Sequence, residues 1–243
     1  MGMIKTREEI EFLKKSAKIA NSCLPLIKKL LGKDISEKEL ARGVREKIYS
    51  QGGKLAFRIL VACGKRSAMI HPRPAASNKK ISGLGYIDFG VSYKGYKTDV
   101  TVPFVKGKIS EKEEIMVRVV TQAYNLALKN LKKNMSCFKL FEIVDKFLRK
   151  NGFKMEHSLG HGVGKKIHEL PTIGIPRSKL KKLSRKKRKK LEKLKKMKFE
   201  EGMVFTIEPA VYVKGLGGCR LENTILLTKK GPISLTNSKL IRI

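Results

Sequence analysis

"YIDFGVSYKGYKTDVTVPF", Tyr86 to Phe104, reads as two strands folded back at Lys94-Gly95. A glycine-containing pair between β-branched and aromatic runs suits a tight hairpin turn. Its charge sets this hairpin apart. Asp88 lies among apolar neighbours on the first strand, and Asp99 lies eleven positions later on the second. A buried carboxylate without a partner is very costly, so carboxylates inside apolar strands are paired or bound to a cation.

Moving outward, the same order of elements occurs twice. Upstream, Thr6-x-x-Glu9 is a capping box that opens a helix with Ile10, Leu13, Ala17, Ala20, Leu24, Ile27 and Leu31, which Pro25 is expected to kink or cut short. Ser36-x-x-Glu39 opens a second helix, ended by Gly52-Gly53, and "FRILVAC", Phe57 to Cys63, reads as a strand. Downstream, Ser110-x-x-Glu113 opens a third helix, and a fourth carries Leu140 to Leu148. "GMVFTIEPAVYV" and "CRLENTILLT" then read as two more strands around Gly215 to Gly218, holding Glu208 and Glu222. Helix, helix, strand, hairpin, repeated, predicts an α+β fold of two similar halves with a site where they meet. Residues 1–243 read as a single domain.

Composition bounds the class. Apolar residues make up 41% of the 243, enough for a core, and the formal net charge is +34. That charge attracts polyanions whatever the fold. Four scattered cysteines form no Cys-x-x-Cys pair and read as reduced thiols of a cytoplasmic protein. The N-terminus has no signal-peptide core, and no run is long enough to span a membrane. Gly2 with Thr6 fits the loose myristoylation pattern, although the capping box already accounts for the threonine. One segment stands out, residues 177–200, where 14 of 24 are Lys or Arg. Leu180, Leu183, Leu191, Leu194 and Met197 share a helical face there, predicting a basic amphipathic helix. It is either a ribosome- or polyanion-docking element or a surface insertion.

The chemistry lies in the four strand carboxylates together with His161, in the Gly-flanked turn "GHGVG". Hard oxygen donors plus one imidazole suit divalent Mn, Co, Fe or Zn. Four carboxylates overcharge one ion and nearly balance two. Two metals about 3.5–4 Å apart activate water and polarise a carbonyl, which is hydrolytic chemistry.

"IDFGVSYKGYKTDVT", "GHGVG", "HELP", "EGMVFTIEP" and "GGCRLENTILLT", in this order, resemble the pita-bread metallopeptidases. That family includes methionine aminopeptidase, aminopeptidase P, prolidase and creatinase. The resemblance covers nearly the whole chain and implies the pita-bread fold and two divalent ions. By that resemblance Asp88 chelates one metal, His161 and Glu208 bind the other, and Asp99 and Glu222 bridge. Glu208 is then also the general base. His71, in "AMIHPRP", matches the substrate-side histidine, and His168 matches the one that stabilises the tetrahedral intermediate. His157 and Arg220 resemble the aminopeptidase P and prolidase branch, and both join the substrate-binding set. These features predict an exopeptidase acting on peptides with proline second, as a monomer or homodimer. The alternative is a methionine aminopeptidase acting on nascent chains, because the chain begins at residues matching the catalytic domain; "SGLGY", Ser82 to Tyr86, departs from the family's usual residues before the first metal strand and is expected to affect a turn, not the chemistry. A non-enzymatic nucleic-acid-binding module is the third reading.

Overall fold

The computed structural model describes residues 2–176, 178 and 191–243. Three capping boxes form as the sequence predicts. Thr6 opens α1 (Arg7–Leu31), Ser36 opens α2 (Glu37–Ser50) and Ser110 opens α3 (Glu111–Asn130). In each, the hydroxyl accepts the N–H three residues on, and that residue's glutamate accepts the cap N–H. Ser136 caps α4 (Cys137–Lys150) by accepting the Phe138 N–H. Pro25 does not end α1. It is exposed, so the carbonyl its missing N–H frees lies on the solvent side, while Cys23, Ile27 and Leu31 keep the helix on the core.

The strands are β1 (Lys54–Leu55), β2 (Leu60–Cys63), β3 (Gly83–Phe89), β4 (Val91–Tyr93), β5 (Tyr96–Lys97), β6 (Val100–Lys106), β7 (Gly160–Gly162), β8 (Glu169–Ile173), β9 (Val204–Ile207), β10 (Ala210–Val213), β11 (Gly217–Arg220), β12 (Asn223–Thr228), β13 (Gly231–Ser234) and β14 (Ile241–Arg242). The strand expected from Phe57 begins only at Leu60. Leu60 pairs with Asp88, and β3 ends one residue later, so earlier residues have no ladder to join. Each long hairpin is also broken into inner and outer pairs. At Gly90 the chain crosses itself so closely that a Cβ would lie 2.5 Å from the Thr98 carbonyl oxygen. In the second hairpin Pro209 has no N–H to carry the ladder onward. The outer pairs turn away: β4 and β5 join β1, and β10 pairs with β11.

The inner pairs anchor two larger sheets, ordered β14-β6-β3-β2 and β13-β12-β9-β7-β8. Leu40, Val44 and Ile48 of α2 pack with Ile27 and Leu31 of α1 against Ile87 and Val102. Val120, Leu140 and Val144 of α3 and α4 pack against Phe205 and Ile225. Each fully buried Leu, Ile, Val or Phe contributes about 1.5–3 kcal/mol. This is the expected α+β arrangement of two similar halves. They join at Thr101, whose carbonyl accepts the Glu222 N–H at 3.1 Å in an isolated antiparallel bridge. Beside it the Thr224 hydroxyl accepts the Asp99 N–H at 3.0 Å and donates to the Asp99 carbonyl at 2.8 Å.

Much of the basic amphipathic helix expected at 177–200, including Leu180 and Leu183, lies outside the described residues. Residues 191–195 are helical, and Leu191 and Leu194 are buried against Phe138 of α4 with Ile175 and Met197. That apolar face covers the protein's own core. All four cysteines are free and buried. No described helix is long and apolar enough to cross a membrane.

Candidate active site

Both hairpins present their carboxylates at the break between inner and outer pairs. Asp88 is the penultimate residue of β3, Asp99 directly precedes β6, Glu208 directly follows β9 and Glu222 lies between β11 and β12. The expectation that all four lie within strands therefore holds for Asp88 alone. Within a strand, side chains alternate between faces. At a break that constraint is released, and four acids from two hairpins face one space. The Thr101–Glu222 and Asp99–Thr224 bonds then set Asp99 and Glu222 side by side.

His161 also differs from its expected setting. It sits at the centre of β7, between β8 and β9, and in no turn. A Cβ at Gly160 would lie 1.9 Å from the Thr206 carbonyl oxygen, and one at Gly162 would lie 2.0 Å from that of Leu170. The flanking glycines allow this close approach of three strands.

His71, Asp88, Asp99, His157, His161, His168, Glu208, Arg220 and Glu222 all line one cavity of about 710 Å³. Ligand atoms of Asp99, His161 and Glu222 lie within 4.8 Å of one another. His161 Nδ1 faces the Gly162 carbonyl oxygen at 3.1 Å, which places its proton there. Nε2 is then a lone pair, 3.5 Å from Glu208 Oε1 and 3.7 Å from Asp99 Oδ2.

This crowding is unfavourable without a cation. Burial holds the Asp88 carboxyl above its ordinary range, with Arg220 opposing. Burial and then the charges of Asp88 and Glu208 push Asp99 well up. Burial and then Asp99 and Glu208 do the same to Glu222. Glu208 is raised chiefly by burial, against His157 and Arg220. Burial lowers both His161 and His168, so neutral imidazoles are favoured. Asp88 Oδ1 and Asp99 Oδ1 are buried and, among the described residues, have no hydrogen-bond partner. Orphaned acceptors beside an imidazole lone pair are what a hard divalent cation satisfies.

Arg220 is the guanidinium set among these acids, and the protein itself occupies it. It donates to Asp88 Oδ2 at 2.5 Å, the Thr101 hydroxyl at 2.9 Å, the Tyr212 hydroxyl at 2.7 Å and the Ile70 carbonyl oxygen at 3.4 Å. Its charge also stacks over the Tyr86 ring, 4.6 Å from the centroid. Thr101 in turn donates to Glu222 Oε2 at 2.6 Å. The Tyr212 hydroxyl lies 3.2 Å from His157 Nε2, and His157 Nδ1 lies 2.7 Å from the Ser158 carbonyl oxygen and 3.6 Å from Glu208 Oε2. Asp88, Arg220, Tyr212 and His157 thus form one chain along the wall. His71 and His168 are exposed at the cavity, and the His168 ring lies 4.3 Å from that of His161.

Sequence reading missed Tyr212, Thr101 and Thr206, whose hydroxyl lies 3.2 Å from Glu208 Oε1. Tyr212 had a signal. Counting back from the Gly215–Gly218 turn pairs Ala210 with Arg220 and Tyr212 with Gly218, which sets Tyr212 diagonally beside Arg220 on one face. The threonines carried none.

The sequence profile of Metallopeptidase family M24 matches residues 11–229. A Xaa-Pro dipeptidase of Pyrococcus furiosus is 34% identical over 98% of this chain and 64% of its own length. Among solved structures, the prolidase from Pyrococcus furiosus superposes with a TM-score of 0.85 at 33% identity, covering 98% of this chain and 66% of that one. The X-Pro aminopeptidase from Thermotoga maritima also gives 0.85, at 29% identity, over 99% of this chain and 65% of that one. The chain therefore spans about two thirds of the length of these relatives.

Proposed function

This chain belongs to metallopeptidase family M24, and on that premise we propose that it is an exopeptidase releasing the N-terminal residue of peptides with proline second. The two halves act as one catalytic unit. Asp88, Asp99, His161, Glu208 and Glu222 hold two divalent cations, drawn from Mn, Co, Fe or Zn. The observation that carries this reading is the cluster itself: the buried acids Asp88, Asp99 and Glu222 with half-buried Glu208, the Arg220 guanidinium among them, two orphaned carboxylate oxygens and an imidazole lone pair in one cavity. Cations bound there supply Lewis acidity, polarising a peptide carbonyl and acidifying a water.

The chain's own groups do the rest. Glu208, whose carboxyl burial holds above its ordinary range, takes the proton of the attacking water and returns it to the leaving amine. His168 donates to the oxygen that gains charge, and His71 orients the substrate from the first half. Arg220 acts as a positioning residue: with its donors engaged by Asp88, Thr101 and Tyr212, it holds the acids in place. His157, at the other end of that chain, faces Glu208 and the substrate.

The proline branch is supported by His157, by Arg220 two residues before Glu222, and by the names of the relatives. Four buried free thiols favour the cytoplasm. Ribosome docking through residues 177–200 has weaker support, because Leu191 and Leu194 face the core. The test is hydrolysis of Ala-Pro and Met-Ala peptides by protein loaded separately with each metal. Cleavage confined to Met-Ala peptides refutes the proline assignment and favours the methionine aminopeptidase reading. Two bound ions with no cleavage of either refutes the peptidase reading.

A further inference from the structure

The active-site cavity has a neighbour. A recess of about 330 Å³ lies against α2, lined by Lys38, Arg42, Arg45 and Arg58 over a floor that includes Leu55 and Ile59. Arg58 lines the active-site cavity as well, so the two spaces share that side chain. Lys38, Arg42 and Arg45 are four and then three residues apart on α2, which puts them on one helical face. All four cations are exposed, and among the described residues their side chains have no ion pair or hydrogen bond. No acidic side chain lines the recess. Glu39, the α2 acid that feels Arg42, is held in the Ser36 cap.

On a chain with net charge +34, exposed cations alone mean little. This recess differs in being concave, free of lining acids and next to the catalytic cavity, with Arg58 lining both. The larger recess along α4, of about 860 Å³, has Glu142 and Asp145 among its cations and does not adjoin the site. The occupant follows from that adjacency and from the positive charge of the lining. A peptide whose N-terminal end lies among the acids of the cavity must leave past its walls, and Arg58 is the wall that leads to Arg42 and Arg45. From Lys38 to Arg45 is about 10 Å along the helix axis at 1.5 Å per residue. That matches about three residues of extended peptide at 3.3 Å each. A run of acidic side chains fits this spacing better than one terminal carboxylate does.

We propose that the recess is a downstream substrate subsite that binds Asp or Glu side chains on the peptide beyond the cleaved bond. The inference rests on the peptidase reading, and Arg58, Arg42, Arg45 and Lys38 are its specificity-determining residues.

The experiment compares two C-terminally amidated peptides, Ala-Pro-Ala-Asp-Asp-Asp and Ala-Pro-Ala-Asn-Asn-Asn, on the metal-loaded full chain. The readout is the ratio of their kcat/KM values within one preparation, so any loss of active fraction cancels. The expected ratio is about 3- to 10-fold in favour of the Asp peptide at low salt, carried in KM and shrinking as salt rises. In the double variant Arg42→Glu/Arg45→Glu the preference should vanish or invert. A ratio near one in the wild type overturns the proposal. So does a preference that survives in the variant, since two reversals remove only four charges from +34 and leave the general field intact. Anisotropy of a fluorescein-labelled Asp peptide separates the two levels of inference. Cleavage of neither peptide refutes the peptidase reading, and equal affinity of wild type and variant then refutes the subsite as well. A single-stranded oligonucleotide that loses affinity in the variant while the peptide ratio stays unchanged assigns the recess to nucleic acid and also overturns the proposal.

Discussion

Replacing Arg220 by Met tests whether the guanidinium compensates Asp88. The residue is buried at 3% exposure, and its nearest acid, Asp88, has one carboxylate oxygen on Arg220 and the other orphaned. Methionine fills similar space and offers no donor. Asp88 would then be a fully uncompensated buried charge, and the Thr101 and Tyr212 hydroxyls would each lose a partner. Breaking a buried pair from one side costs about 3–5 kcal/mol. The alternative, protonating Asp88 at pH 7 from an unfolded pKa of about 3.9, costs about 4 kcal/mol, so the two routes agree in scale. For a chain of this size the loss lowers Tm by roughly 6–20 °C. The sign of the pH dependence follows. Where the folded variant keeps a proton that the wild type and the unfolded chain have released, its stability falls as pH rises, by about 1.4 kcal/mol per unit. The gap between variant and wild type should thus widen from pH 6 to pH 8. Urea titrations of the metal-free proteins measure it, and the double variant Arg220→Met/Asp88→Asn should recover most of the loss. A gap below about 1 kcal/mol, or one that stays flat with pH, would refute the reasoning.

Three further outcomes are expected. The metal-free wild type should lose stability as pH rises from 5 to 8, because burial holds the carboxyls of Asp99, Glu208 and Glu222 above their unfolded values and the folded state binds the extra protons; thermal melts with EDTA should slope downward, and divalent loading should flatten them. Pro25→Ala should stabilise by about 1–3 kcal/mol, seen as a raised Tm, since it restores a helical hydrogen bond at an exposed site. Gly162→Ala should separate β7 from β8, because its Cβ would meet the Leu170 carbonyl oxygen at 2.0 Å; loss of more than about 2 kcal/mol and of bound metal is expected, and an unchanged metal stoichiometry would contradict the role given to β7.

Local chemistry wrote much of this protein openly. The capping boxes at Thr6, Ser36 and Ser110 mark three helix starts because they act within four residues, so no distant contact is needed to form them. The repeated element order was likewise visible, since apolar periodicity reports which face of a segment will be buried. Asp88, Asp99, His161, Glu208 and Glu222 could be named from sequence because acids and imidazole in apolar, Gly-rich runs are costly unless they share a purpose. Tertiary structure decided the rest, through contacts between residues far apart in the chain. Gly90 breaks the first hairpin only because Thr98 and Phe57 crowd it, and His161 lies in a strand because β8 and β9 close on Gly160 and Gly162. Pro25 was a helix breaker by composition and became harmless because packing turned it to solvent. Arg220, two residues from Glu222 in sequence, binds Asp88, 132 positions away, because the two halves meet at Thr101. Sequence determined which groups must be compensated, since ionisation and burial are properties of residue type and pattern. Which group compensates which was set only when the halves came together.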